Sequence, residues 1–119
     1  MELTGLWMDP AYSPVIQDVV TELTSQDLQW GEQNHPLLSP ETSSWARRRL
    51  YESMANDWKA LNALRVEDGS LAWDGILLEE VYEALAEGDV DKACEELVQT
   101  AAVAINAVIS LRRQQRKAT

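Results

Sequence analysis

The sequence predicts an all-α fold, a bundle of four helices in a single domain. Along four segments, apolar residues recur at steps of three and four, which is the spacing of one helical face. No segment alternates polar and apolar residues for long, and the β-branched residues fall on the helical faces. A chain of 119 residues has the length of one domain, so we assign 1–119 to it, with an irregular lead-in at 1–13 and a tail at 114–119.

The first predicted helix spans about residues 14–29 and leads into a long loop. Pro14 suits its first turn, because proline lacks the N–H that would be unpaired there and its φ is already helical. The loop, residues 30–44, is dense in Gly, Pro, Asn and Ser, and loops of this kind often carry recognition residues. The apolar stripe of the helix consists of Val15, Ile16, Val19, Val20, Leu23 and Leu28.

The second predicted helix begins at Ser43 or Ser44 and runs to about Val66, where the sequence EDGS interrupts the helical pattern. Either serine is a suitable N-cap, because its hydroxyl can accept a hydrogen bond from an unpaired N–H of the first turn. One side of this helix is formed by Leu50, Met54, Trp58, Leu61 and Arg65.

The third and fourth predicted helices are separated by only a few residues. The third covers about 75–87, with Asp74 as its N-cap and Gly88 as its C-cap. The fourth follows the N-cap Asp89 and reaches about Arg113. So short a connection predicts that these two helices form a tight antiparallel hairpin.

The charge and composition exclude several classes of function. Twenty acidic and ten basic residues give a net charge of −10, which argues against a nucleic-acid-binding protein. A nucleotide is not excluded, because a bound metal ion can reverse the local charge. A single cysteine, Cys94, permits no internal disulfide, and no signal peptide is evident, so we expect a cytoplasmic protein. The longest apolar run, 101–111, is shorter than the roughly 20 residues of a membrane span and contains Asn106.

Two acidic clusters stand inside the apolar, helical runs of the last two helices. Their members are Glu79, Glu80 and Glu83 on the third helix, and Glu95, Glu96 and Gln99 on the fourth. At about 100° per residue, Glu83 lies about 40° from Glu79 around the helix, and Glu80 about 100° from it. A hairpin would bring the two clusters together, and carboxylate oxygens are the ligands that Mg²⁺ prefers. The alternative is that these glutamates form a solvated helical face.

A polar stripe extends the second cluster along the fourth helix. Between Leu97 and Leu111 the polar residues share the face of Glu96, and they are Gln99, Thr100, Asn106 and Ser110. The rest of the circumference is apolar, so we expect this helix to be buried on several sides and the stripe to form the wall of an enclosed polar site.

The sequences EEVYE (79–83) and EELVQ (95–99) resemble the EExxE and ExxD motifs of the MazG-like, all-α nucleoside triphosphate pyrophosphohydrolase superfamily. The resemblance covers about residues 14–112 and implies a MazG-type four-helix fold. It implies hydrolysis of (d)NTP to (d)NMP and pyrophosphate with Mg²⁺, or Mn²⁺ in its place, by a dimer or tetramer. By this resemblance Glu80, Glu83 and Glu96 ligate the metal.

Two further positions complete the implied site. Gln99 takes the fourth metal-ligand position, and Glu79 lies beside the metal, where it orients or deprotonates the attacking water. Gln99 stands where the family has Asp, and its amide oxygen is neutral and a weaker ligand. Three consequences are open: looser metal binding, fewer bound metals, or lost catalysis. The alternative functions are therefore a catalytically weak nucleotide-binding protein and an acidic protein-interaction module.

Candidate substrate-binding residues lie in the loop and on two helices. Trp30 could stack on a base, and Asn34 or His35 could read its edge; the alternative is an anchoring Trp with surface neighbours. Lys59, or one of the arginines at 47–49, could contact the triphosphate instead of pairing with nearby acids. Asn106, two turns after Gln99, is either a substrate contact or a buried amide with its hydrogen bonds satisfied.

Overall fold

A computed structural model of the chain describes residues 5, 9–40 and 44–118. Across residues 9–40 and 44–118 the chain forms four α-helices and no strand, which confirms the all-α prediction. Ser43, one of the two predicted starts of the second helix, lies outside the described residues. The helices are α1, Ser13–Trp30; α2, Ser44–Asp68; α3, Trp73–Ala86; and α4, Val90–Ala118.

Helix α1 begins and ends where its local sequence dictates. Pro14 occupies the first turn, as predicted. Just before it, the carbonyl of Asp9 accepts the N–H of Ser13 at 2.8 Å. Gly31 ends the helix with φ of 66°, a conformation that glycine adopts without steric cost, and its N–H donates to Asp27 O at 2.8 Å. Residues 31–40 are then irregular, as predicted for the described part of the loop.

Helices α2 and α3 form an antiparallel hairpin. Three of the contacts between them show their direction, in order away from the turn: Arg65 with Asp74 (3.1 Å), Asn62 with Glu79 (2.9 Å), and Tyr51 with Tyr82 (6.0 Å between ring centroids). Residue numbers fall along α2 as they rise along α3, so the two helices run in opposite directions. Gly69, with φ of 77°, permits the turn between them. The guanidinium of Arg65 also lies over the ring of Trp58, 5.5 Å from its centroid.

Two predicted caps of α3 are wrong. The helix begins at Trp73, and Asp74 lies inside its first turn, where its Oδ1 accepts the N–H of Gly75 at 2.6 Å. This carboxylate also pairs with a guanidinium of α2, so tertiary structure and the positive helix end both hold it there. At the other end the helix stops at Ala86, and Glu87 turns to an extended backbone without a glycine at positive φ, so Gly88 is not a C-cap of the expected kind.

The start of α4 is as predicted. Asp89 Oδ1 accepts the N–H groups of Asp91 at 2.9 Å and Lys92 at 3.2 Å, which is the N-cap arrangement. Only Glu87, Gly88 and Asp89 connect α3 to α4. The helix continues to Ala118, beyond its predicted end near Arg113.

The chain divides into two compact units. One contains the described residues up to His35 together with those from Ile105 onward, and the other is Pro36–Ala104. In the first unit Arg112 Nη2 pairs with Asp18 Oδ2 at 2.7 Å, which joins α4 to α1. The second unit contains the α2–α3 hairpin and the beginning of α4.

The described core is small, and large apolar side chains remain exposed on several helices. The buried apolar residues are Val15, Ala55, Ala84, Ala93 and Ile109. On α4, Leu97 is 42%, Val98 69% and Leu111 51% exposed, so the expectation that this helix is buried on several sides is wrong for the single chain. The apolar side of α4 follows from the sequence, but periodicity does not show whether other elements of the same chain cover that side.

The same helix is long and apolar enough, by length and composition alone, to cross a membrane. Only 6% of its most apolar stretch is buried. Buried core helices pass the same test of length and composition, so the expectation that the protein has no membrane partner stays a prediction.

Candidate functional site

A groove in the second unit gathers acidic side chains from α2, α3, the α3–α4 connection and α4. Its volume is about 270 Å³. Glutamates dominate the lining, which consists of Glu52, Ala55, Asn56, Glu83, Ala86, Glu87 and Glu96. Two of the predicted metal ligands, Glu83 and Glu96, therefore face one space although they belong to different helices.

The carboxyl of Glu83 is affected by three other carboxylates of the acidic clusters. Its pKa is raised, first because burial penalises the charged form, and then because the carboxylates of Glu80, Glu79 and Glu96 repel it. A side-chain hydrogen bond with Glu79 raises it further. The carboxylates of Glu79, Glu80 and Glu96 are therefore close enough to Glu83 to affect its pKa.

The pKa of Glu96, on α4, is also raised. Burial raises its pKa first, followed by the negative charges of Glu87, Glu80 and Glu95, while Lys92 acts in the opposite direction. Both raised pKa values have the same physical origin, which is a concentration of partly buried negative charge that no nearby cation fully offsets.

Two carboxylate oxygens of the cluster are buried and have no hydrogen-bond partner: Oε2 of Glu80 and Oε2 of Glu96. Leaving such an oxygen desolvated and unpaired is costly, and most buried polar atoms in proteins are satisfied. Carboxylate oxygens are the ligands that Mg²⁺ prefers, so the chemistry of these donors suits that cation. Within residues 9–40 and 44–118, however, no three acidic, His or Cys side chains already stand close enough to hold a metal.

Glu79 is held by a residue of the neighbouring helix. Its Oε1 accepts a hydrogen bond from Asn62 Nδ2 at 2.9 Å, and the same nitrogen donates to the carbonyl of Gly75, also at 2.9 Å. Asn62 is 8% exposed, so this link between α2 and α3 is protected from water.

Sequence reasoning missed the contribution of α2 to the groove. Glu52 and Asn56 are four residues apart and so share a helical face, which was a readable signal, but nothing in the sequence indicated that this face meets α3 and α4. Both also line a second groove of about 230 Å³, together with Arg49, Ser53 and Asp57. Of the predicted triphosphate contacts, Arg49 lines this groove, whereas Lys59 is exposed on α2.

The other predicted site residues are distributed as follows. Gln99 is exposed on α4, and among the described residues it is not part of either groove lining. Trp30, Asn34 and His35 belong to the first unit and are exposed, with Asn34 donating to Glu32 at 2.7 Å. Asn106 belongs to the first unit and is exposed, so the buried-amide alternative is wrong.

The groove offers oxygen atoms of carboxylates and one amide, which suit a hard cation such as Mg²⁺ rather than a softer metal. Cys94 is exposed on α4. Without a cation, this concentration of carboxylates would repel a phosphate, so any anionic ligand here requires a metal to accompany it. Comparison of the chain with protein-family models, with curated proteins and with solved structures finds no match.

Proposed function

We propose that the protein is a Mg²⁺-dependent nucleotide pyrophosphohydrolase that cleaves (d)NTP to (d)NMP and pyrophosphate. The observation that carries the proposal is the pair of buried, unpartnered carboxylate oxygens of Glu80 and Glu96, two residues whose charges also act on Glu83. The reaction itself is proposed from the resemblance of residues 79–83 and 95–99 to the MazG-like motifs, and the all-α fold is compatible with it.

Glu80, Glu83 and Glu96 are the residues that would hold the metal. When bound, Mg²⁺ supplies positive charge for the phosphate oxygens and makes a coordinated water more acidic. Glu79 orients the attacking water and accepts its proton as the water oxygen bonds to the α-phosphorus and the bond to the β-phosphate breaks. Arg49, at the adjoining groove, meets the negative charge of the departing pyrophosphate.

A second copy of the chain is part of the proposal. Large apolar side chains are exposed in both units: on α1, Leu23 is 59% and Leu28 83% exposed, and on α4, Val98 is 69% exposed. Among the described residues only five apolar side chains are buried, three of them alanine, which is a small core for a single copy. Self-association as a dimer or tetramer covers such surfaces permanently.

The alternative is a protein that binds a nucleotide with weak or no turnover. Gln99 favours it, because this residue is exposed and neutral where the resembled motif carries a carboxylate. Mg²⁺ with nucleotide would raise the melting temperature of an enzyme and of a nucleotide-binding protein alike. An acidic interaction module would show no such specific effect. Thermal unfolding therefore separates this possibility from the enzyme and from the nucleotide-binding protein.

Product analysis tests the proposal. Purified protein with Mg²⁺ is incubated with canonical and modified NTPs and dNTPs, and the products are resolved by chromatography. We expect monophosphate and pyrophosphate from at least one substrate, and no turnover by Glu83→Gln. Glu67→Gln is the control, since it makes the same change at an exposed position of α2. Folded wild-type protein without any turnover would overturn the enzyme assignment, and turnover by Glu83→Gln would overturn the metal site.

A further inference from the structure

Asn62 is a buried amide whose hydrogen bonds lead directly to the proposed catalytic carboxylate. It is the buried polar residue of the described chain, at 8% exposure. Its two N–H bonds are both used, one by the carbonyl of Gly75 and one by Oε1 of Glu79. Its Oδ1 is buried without a partner. The donor side of the amide is therefore satisfied, and the acceptor side is not.

The chemistry of its neighbours dictates which way this amide points. Reversing the amide would place Oδ1 against two other acceptors, the carbonyl of Gly75 and the carboxylate of Glu79, while moving the donors away from both. A leucine of similar size would fill the same space without a buried unpaired oxygen. Packing alone therefore does not account for an amide at position 62; its contact with Glu79 does.

Gly75 makes this approach of α2 to α3 possible. A Cβ built at position 75 would overlap Asn62 Oδ1, and it would lie 3.2 Å from Asn62 Cγ and 3.3 Å from Arg65 Nη1. Its φ is not positive, so glycine is needed here for space and not for backbone conformation. Asn62 and Gly75 are thus two halves of one arrangement that fixes α2 against the helix that carries Glu79.

We infer that Asn62 is a positioning residue for Glu79 in the reaction proposed above, on which this inference rests. The hydrogen bond at Oε1 stops rotation of the Glu79 carboxylate and holds it in the orientation in which it accepts the proton of the attacking water. Glu79 is a flexible side chain whose negative charge acts on the neighbouring Glu83, and without an anchor the repulsion between these two carboxylates would move it. Asn62 acts through Glu79 and needs no contact with the substrate.

Two substitutions test this role. Asn62→Asp keeps the size of the side chain and removes the N–H donor; Asn62→Leu removes it without adding charge and serves if the first variant does not fold. Ala63→Asp, at an exposed neighbouring position on α2, is the control for added charge. Nucleotide-binding sites are counted by titration with a non-hydrolysable triphosphate and Mg²⁺, and kcat is expressed per site.

We expect kcat per site to fall about 10- to 100-fold in the folded variants, with KM changed much less, as for other residues that orient a catalytic ligand. A purely structural role would lower the number of binding sites and leave turnover per site unchanged, which would overturn the inference. Wild-type protein without turnover would overturn both the proposed function and this role. Wild-type turnover combined with an unchanged kcat per site in Asn62→Leu would overturn this role alone.

Discussion

Replacement of Gly75 by alanine is the most direct test of how α2 and α3 fit together. The added Cβ would collide with Oδ1 of Asn62, so either the helices must separate or Asn62 must move. Asn62 is buried and uses both N–H groups across this contact, and its side chain therefore cannot move without losing hydrogen bonds. We therefore expect the substitution to lower the free energy of unfolding, because α2 and α3 approach closely at Gly75.

The size of this loss follows from three effects. Alanine in place of glycine favours a helix by at most about 1 kcal/mol. Against this, leaving a buried N–H or carbonyl unpaired costs about 1–3 kcal/mol. Overpacking of a tight contact costs about 1–3 kcal/mol more. Destabilisation therefore wins, and we expect the free energy of unfolding of Gly75→Ala to fall by about 1–5 kcal/mol.

Urea denaturation followed by circular dichroism, at a fixed protein concentration, measures this change. Gly88→Ala is the matched control, because its Cβ would come no closer than 3.8 Å to Arg48 Nη1 and its φ is not positive. We expect its stability to stay within about 0.5 kcal/mol of wild type. The double variant Asn62→Ala with Gly75→Ala should lose less than the two single variants together, since the truncated side chain makes room. A Gly75→Ala protein as stable as wild type would refute this account of the contact.

Four smaller predictions follow. Because burial and neighbouring carboxylates raise the pKa of Glu83, its contribution to stability is fully present below the ordinary value of 4.5 and is lost as the pH rises through the raised pKa, so Glu83→Gln should flatten this part of the pH dependence of Tm in metal-free protein. Mg²⁺ at about 100 times its Kd should stabilise the protein by about 2.7 kcal/mol, reversibly with EDTA, and Glu96→Gln should lose most of this. Asp18→Asn removes an exposed pair with Arg112 and should cost less than about 1 kcal/mol, and less still in high salt. Val98→Glu should reduce the mass measured by light scattering after gel filtration if this exposed face joins two copies, whereas an unchanged mass would place the contact elsewhere.

The four helices could be predicted from the sequence because helix formation depends on local features. Pro14 in the first turn of α1 and Asp89 at the start of α4 act on backbone groups only a few residues away, and both predictions are confirmed. The predicted caps at Asp74 and Gly88 are wrong, and for Asp74 the reason is not local. Asp74 is held by Arg65 of the preceding helix, and the short connection after α3 leaves in an extended conformation instead of a glycine turn.

Burial was predicted less well than helicity. The apolar arc of α4 can be predicted from its residue spacing. Leu97, Val98 and Leu111 are nevertheless exposed, since exposure depends on which other elements cover the arc and not on the arc itself. A sequence pattern describes the chemistry of a helical face and does not count the neighbours that one chain provides. That is why the same pattern is compatible with a buried helix, an interface or a membrane span.

The helices and the carboxylates of the candidate site could be predicted from the sequence, since helical spacing alone places Glu79, Glu80 and Glu83 on one face. What those carboxylates contact depends on how the helices pack. Asn62 reaches Glu79 across the α2–α3 hairpin, and Glu52 and Asn56 line the groove of Glu83 and Glu96, although these residues are far apart along the chain. The physical reason is that helical periodicity relates residues within a few turns, whereas contacts between helices depend on how their faces pack.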